Sequence, residues 1–126
     1  MANINFRNFA IELVKPKLPR NWTWFSSKTN LDNFIHPVVK LTMQRIVRDP
    51  DAPQGSRIAT FVLTIIEPMS KPGSSDDALD DKVIDLLNAL DTVAEMHWES
   101  AERVTVNERN PGYDVTIQMK FQKEDS

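Results

Sequence analysis

The chain has no cysteine and only three glycines and two histidines among its 126 residues. The absence of cysteine excludes disulfides, thiolate nucleophiles and zinc–thiolate sites, and it fits a reducing compartment. Gly55, Gly73 and Gly112 all fall in predicted turns, so no glycine-rich phosphate loop can form and we expect no nucleotide cofactor. His36 and His97 lack any metal-ligand spacing, which favours structural roles for both.

The chain also lacks long apolar runs and a large charge imbalance. Its most apolar stretch, residues 61–66, is far shorter than the roughly 20 residues that cross a bilayer, and residues 1–7 lack the apolar core of a secretory signal. The 15 basic and 18 acidic residues give a net charge of -3, which does not attract polyanions. We expect a soluble protein with no membrane partner, folded as one domain over residues 1–126.

Two segments have the apolar spacing of amphipathic helices. The first places five apolar residues on one face and should end near Val14, because prolines follow: Phe6, Phe9, Ala10, Leu13 and Val14. The second runs from the capping-box residues Ser74 and Asp77 to about Asp91, and we expect frayed helix or turn over residues 92–98.

The strand-like segments form a long hairpin and a shorter one. Residues 38–48 and 57–67 flank a Pro- and Gly-containing turn at 49–56, and the second arm is apolar on both faces, so we expect it to be covered on both. Each arm would reach about 37 Å, against a radius of gyration near 14 Å, so the hairpin spans or overhangs the domain. Residues 21–26 predict a short strand, and residues 103–108 and 113–122 predict a hairpin across a turn at 110–112. The predicted fold is α+β, an antiparallel sheet with a long hairpin packed against two helices.

An acidic cluster is the densest polar feature, with Asp76, Asp77, Asp80, Asp81, Asp85 and Asp91 on or near the second helix. Carboxylates four residues apart share a helix face and could hold a hard cation, which leaves a small metal-dependent hydrolase or nuclease as one hypothesis. The opposing interpretation is a solvated face whose first carboxylates favour the helix N-terminus. We expect no metal, no cofactor and no enzymatic activity.

Trp22 and Trp24 share one side if their segment is extended. With basic residues nearby they could stack nucleic-acid bases, which makes a nucleic-acid accessory protein a further alternative. Large aromatic side chains at alternate positions more often pack against a helix or a partner subunit. We therefore predict packing or interface roles for both tryptophans.

Short motifs in a fixed order run through most of the sequence. They are KLP at 17–19 before Trp22, TNLD at 29–32, PVV at 37–39, DP at 49–50 with AP at 52–53 and Gly55, TFVLT at 60–64 with EP at 67–68, and LDDKVIDLL at 79–87 with Ala89 and Asp91. On these residues the chain resembles, over about 6–121, the tail terminator proteins of phages with long non-contractile tails, especially those of actinobacterial hosts. Related neck proteins, such as head–tail joining or head-closure proteins, share the architecture and remain the nearest alternative.

The resemblance implies a structural virion protein of the tail neck, assembled in the host cytoplasm. Such a protein forms a homohexameric ring on the head-proximal end of the tail tube, stops tube polymerisation, and offers a docking face to head-completion or stopper proteins. DNA passes through the lumen without specific binding. The expected subunit or tube contacts are Trp22, Trp24, Asp49, Pro50, Asp51, Pro53, Gln54 and Arg57, and the acidic face of Asp77, Asp81 and Asp85 is expected in the lumen or on the outer wall.

Overall fold

A computed structural model describes residues 6–25, 36–50, 56–68, 74–106 and 110–121, and in order along the chain these form two helices and five strands. The elements are α1 (Phe6–Val14), β1 (Thr23–Trp24), β2 (Val38–Arg48), β3 (Arg57–Ile66), α2 (Ser74–Leu90), β4 (Met96–Val106) and β5 (Asn110–Phe121). The predicted α+β class and the predicted order of helix, short strand, hairpin, helix and hairpin are confirmed.

The first helix ends at Val14, as the following prolines predict, and the chain continues as one 3-10 turn over Lys15–Lys17. Ala10 and Val14 are fully buried, which confirms the direction of the apolar face. Phe9 does not share it, because its ring is 42% exposed. The apolar stripe of α1 is therefore wider than the part of the helix surface that the sheet covers, and Phe9 lies on the uncovered part.

The five strands form one sheet in the order β1-β2-β3-β5-β4. The predicted long hairpin is confirmed: β2 and β3 pair antiparallel from Val38 with Ile66 to Arg48 with Arg57, with an irregularity after Met43. A fully antiparallel sheet is wrong, because β1 pairs parallel with β2. β1 is also shorter than predicted, since only Thr23 and Trp24 pair with β2.

The second hairpin differs from its prediction where each of its two strands begins. β4 begins at Met96, not residue 103, so Met96–Trp98 is strand where frayed helix or turn was expected. Asn110–Gly112 is not a turn but the start of β5, and residues 107–109, which connect the strands, lie outside the described residues. A Cβ on Gly112 would lie 2.7 Å from the Ile65 carbonyl oxygen, so this glycine permits close strand approach instead of a turn.

The core lies on one face of the sheet. Alternate residues of β3, namely Ala59, Phe61, Leu63 and Ile65, are fully buried with apolar residues of both helices. On the opposite face Thr60 and Ile66 are buried, Ile58, Val62 and Thr64 are half-buried, and none of the described helices belongs to that side. The expected coverage of both faces therefore holds only in part, and the described helices and sheet form two layers.

We expect Leu86→Ala in α2 to lower the free energy of unfolding by about 2–5 kcal/mol, because its fully buried side chain leaves a cavity against the sheet. The matched control is Ile84→Ala, two positions away, where the side chain is 58% exposed and the change should stay within about 0.5 kcal/mol. Urea unfolding followed by circular dichroism measures both. Equal effects would contradict this helix orientation.

Candidate functional site

The tip of the long hairpin is the first predicted contact region. Asp49 closes the hairpin: its backbone N–H donates to the Ser56 carbonyl at 3.1 Å, and its buried carboxylate lies 3.6 Å from the Lys120 ammonium. Pro50 and Arg57 are exposed. Asp51, Pro53 and Gln54 lie outside the described residues. Asp49 therefore shapes the tip, while Pro50 and Arg57 are available to a partner.

Two apolar side chains near the tip are exposed and were missed by the sequence reasoning. Met43 is 40% and Ile46 is 42% exposed. Met43 pairs with Phe61 and Ile46 with Ala59 across the β2–β3 ladder, and both partners are buried on the helix-covered face. Met43 and Ile46 therefore lie on that same face, outside the area that the helices cover. The length of the hairpin arms relative to the domain was the available signal, because the core side of such a long strand can exceed the area that a helix covers. Met43 and Ile46 thus form an accessible apolar pair on the far half of β2, beside the exposed Arg45 and Arg48.

The two tryptophans flank a cleft beside α1. Trp22 is buried in the core and Trp24 is half-buried. The cleft, about 390 Å³, is lined by both of them and by Lys15, Pro16, Leu18, Pro19 and Arg20. Trp22 offers little ring surface for base stacking, and its burial accords with the packing role predicted for it.

The described acidic side chains on or near α2 do not all point in one direction. Asp81 and Asp85 are exposed, as expected for a solvated face, and the side chains of Asp76 and Asp77 lie outside the described ones. Asp80 instead faces the sheet, and Asp91 accepts a hydrogen bond of 2.9 Å from the Trp98 indole. Within the described residues, no group of three or more histidine, aspartate or glutamate side chains could hold a metal ion.

Asp80 joins three elements through one carboxylate oxygen. Oδ1 of Asp80 accepts hydrogen bonds from the Arg103 guanidinium of β4 and from the Tyr113 hydroxyl of β5, the latter at 3.1 Å. The guanidinium also lies 5.2 Å from the centre of the Tyr113 ring. Because the three residues are distant in sequence, spacing alone could not group them. Their arrangement holds α2 against the second hairpin.

Glu67 is a buried carboxylate at the end of β3, and it forms an ion pair with Lys82 of α2. Its Oε1 lies 2.6 Å from the Lys82 ammonium, and its side chain is 7% exposed against 29% for Lys82. Oε2 has no hydrogen-bond partner among the described residues. The Glu67 carbonyl accepts a bond from the Asn110 amide at 3.2 Å, which ties the end of β3 to the start of β5. A single carboxylate neutralised by lysine matches a structural role better than acid–base chemistry, which needs a second positioned group.

The histidines do not form a shared site. His36 precedes β2, where its Nδ1 lies 3.4 Å from the Asn21 amide. His97 is exposed on β4, and strands β3 and β5 lie between β2 and β4 in the sheet. Neither has a carboxylate partner among the described hydrogen bonds. The described residues thus provide surfaces for contact and no assembled catalytic group.

None of the described helices is both long enough and apolar enough to cross a membrane. Comparison with protein-family models and with curated proteins finds no match for this chain. Its function therefore has to be argued from its own residues.

We expect Lys82→Met to lower the free energy of unfolding by about 1–3 kcal/mol, because it leaves the buried Glu67 carboxylate without a cation. Adding Glu67→Gln should restore part of the loss. Lys17→Met, at an exposed lysine, is the control and should change stability by less than about 0.5 kcal/mol. Chemical unfolding of the natural chain, the two single variants and the double variant measures these changes. Full stability of the Lys82→Met variant would refute the role assigned to the Lys82–Glu67 pair.

Calorimetric titration with Mg²⁺, Mn²⁺ and Ca²⁺ should give no stoichiometric binding, because the described carboxylates of α2 belong to no group of three that could hold a metal ion. A variant with Asp81→Asn and Asp85→Asn should give the same trace as the natural chain. Tight one-to-one binding that this variant loses would instead favour the metal-dependent hydrolase.

Proposed function

We propose that this chain is a phage tail terminator, a structural protein of the virion neck. Six copies at 14.4 kDa each, about 86 kDa in all, form a ring on the head-proximal end of the tail tube. The ring stops tube polymerisation and presents a docking face to a head-completion or stopper protein. The ordered motifs over residues 6–121 support this proposal, as does the α+β fold with its long hairpin.

The observation that carries the proposal is the exposed apolar surface on the β2–β3 hairpin. Its far half exposes Met43 and Ile46, and its two strands are closed by the Asp49–Ser56 hydrogen bond. Exposed apolar side chains next to each other on a hairpin form a surface for protein contact. A second supporting feature is that the described residues contain no converging set of catalytic or metal-binding groups.

In this mechanism the hairpin reaches the tube or the next ring. One face of the hexamer resembles the growing end of the tube and binds there, whereas the other face does not accept another tube subunit, so growth stops. Contacts around the ring are heterologous, one patch against a different patch of the next copy, and closure prevents an open fibre. The ring can form on the tube alone, from chains that are monomeric in solution.

DNA passes through the lumen of this ring without a specific site. The chain's net charge of -3 favours weak contact with phosphates, since like charges repel. The exposed Asp81 and Asp85 of α2 belong to the lumen or to the outer wall. No membrane takes part, and the ring is assembled in the host cytoplasm.

The test is to shorten the hairpin tip. Replacing residues 50–55 by Asn-Gly joins Asp49 to Ser56 through a two-residue turn that suits their hydrogen-bonded pairing. We expect tails that are overlong, or that fail to join heads, when this variant replaces the natural protein in a phage infection. Electron microscopy of the particles measures tail length and head attachment.

Removing residues 123–126 is the matched control, because it also shortens the chain by four residues but lies outside the region of resemblance. Circular dichroism must show that both variants fold. Normal-length tails joined to heads with the shortened tip would count against the proposal. A label placing the chain elsewhere in the neck would favour a head–tail joining or head-closure protein.

A further inference from the structure

The two edges of the sheet carry opposite charge. Along β2 there are three basic residues and no acidic one: Lys40, Arg45 and Arg48, all exposed. β4 carries Glu99 and Glu102, both exposed, while its Arg103 is bound to Asp80. One edge of the sheet is therefore basic and the other is acidic.

Both edges have free backbone groups within the described part of the chain. β1 pairs with β2 only at Val38 and Val39, and the Phe25 N–H bonds the Val39 carbonyl, so no described strand pairs with β2 farther on. β4 has β5 on one side and no described strand on the other. Unpaired N–H and C=O groups at a sheet edge are a template for adding another strand.

The pairing registers place one basic residue of β2 and one acidic residue of β4 in the same row across the sheet. Lys40 pairs with Thr64, Thr64 with Asp114, and Asp114 with Glu102. This row therefore begins with a cation on β2 and ends with an anion on β4. Partners in a ladder point to the same face, here the face without helices. A second copy placed level with the first would set its Glu102 beside Lys40.

We infer that the β2 edge of one copy binds the β4 edge of the next, residues 40–46 against residues 96–102. β2 and β4 run in opposite directions within the sheet, because each of the three intervening pairings is antiparallel. A head-to-tail repeat of the sheet therefore makes an antiparallel pair at the junction. This interface would join neighbouring subunits of the proposed ring. Closure of the ring at six copies rests on the proposed function.

Charge also selects this pairing over a two-fold dimer. Antiparallel pairing of β2 with β2 would bring Lys40, Arg45 and Arg48 of two copies together, and pairing of β4 with β4 would do the same for the glutamates. Like charges opposite each other destabilise a sheet, whereas opposite charges stabilise it. Of the three pairings, the heterologous one places a cation, Lys40, level with an anion, Glu102, while Arg45 lies level with His97.

Cross-linking tests this inference, because the natural chain has no cysteine. Thr42 and Ser100 lie in one row, through Val62 and Thr116. Opposed residues in an antiparallel pair have Cα atoms about 4.5–5.5 Å apart, within the range that a disulfide spans. Full-length chains carrying Thr42→Cys or Ser100→Cys, with tags of different mass, are oxidised singly and as a mixture, both free in solution and in the presence of tail tubes.

We expect the mixed disulfide to form about fivefold faster than either symmetric one. Lys40→Glu in the Thr42→Cys chain should remove this excess, and Glu102→Lys in the Ser100→Cys chain should restore it. No excess of the mixed product, whether all pairs react or none does, overturns the inference.

Imaging of tube ends separates the inference from the proposed function. Rings on tubes without the mixed cross-link would retain the terminator and reject this interface. The mixed cross-link in a chain that never reaches tube ends would retain the interface and reject the terminator.

Discussion

The burial of one face of β3 is the constraint on which the rest of the structure depends. β3 is the central strand and pairs along its whole length with β2 and β5, so its register determines theirs. A slip of one residue would move Phe61 and Leu63 from beneath the helices to the opposite face. Burying such side chains stabilises the fold by about 1.5–3 kcal/mol each, which makes a slipped register costly. Two polar attachments, Lys82 with Glu67 and Asp80 with Arg103 and Tyr113, then fix where α2 lies on that face.

This one-sided cover determines which surfaces remain for partners. α1 packs against β2, and α2 packs against β4 and β5, so neither helix shields the far half of the long hairpin. Met43 and Ile46 are exposed for this reason, although they continue a stripe that is buried nearer the base of the strand. The sheet edges that no described strand pairs have the same origin, because a two-layer domain covers a sheet face and not its edges. Among the described residues, the accessible surfaces therefore include two strand edges and the far half of the long hairpin.

The sequence predicts the elements of this fold well because their signals are local. Apolar periodicity places α1, β2 and β3 within a residue of their observed bounds, since burial on one face imposes a fixed spacing. Local sequence signals fail where a contact between residues distant in sequence determines the local conformation. Gly112 and its neighbours suggest a turn, but the pairing of Gly112 with Ile66 extends β5 through them. The candidate site divides in the same way: the long hairpin follows from its two strand-like segments, whereas the contacts of Asp80 and the charge difference between the edges depend on the order of strands in the sheet.

Edge pairing, once accepted, also accounts for the two unlike faces that a terminator requires. In a ring built through strand edges, the ends of the strands point toward the tube on one side and toward the head on the other. The β2–β3 turn follows Arg48, level with Phe121, whereas the β4–β5 connection follows Val106, beyond the level of Ile66, at the opposite end of the sheet. The two ends therefore differ: one carries the hairpin end closed by Asp49 with Ser56, and the other carries the junction of Glu67 with Asn110. In the proposed terminator, a chain whose edges match each other but whose strand ends differ would close sideways without repeating lengthwise, and growth of the tube would stop there.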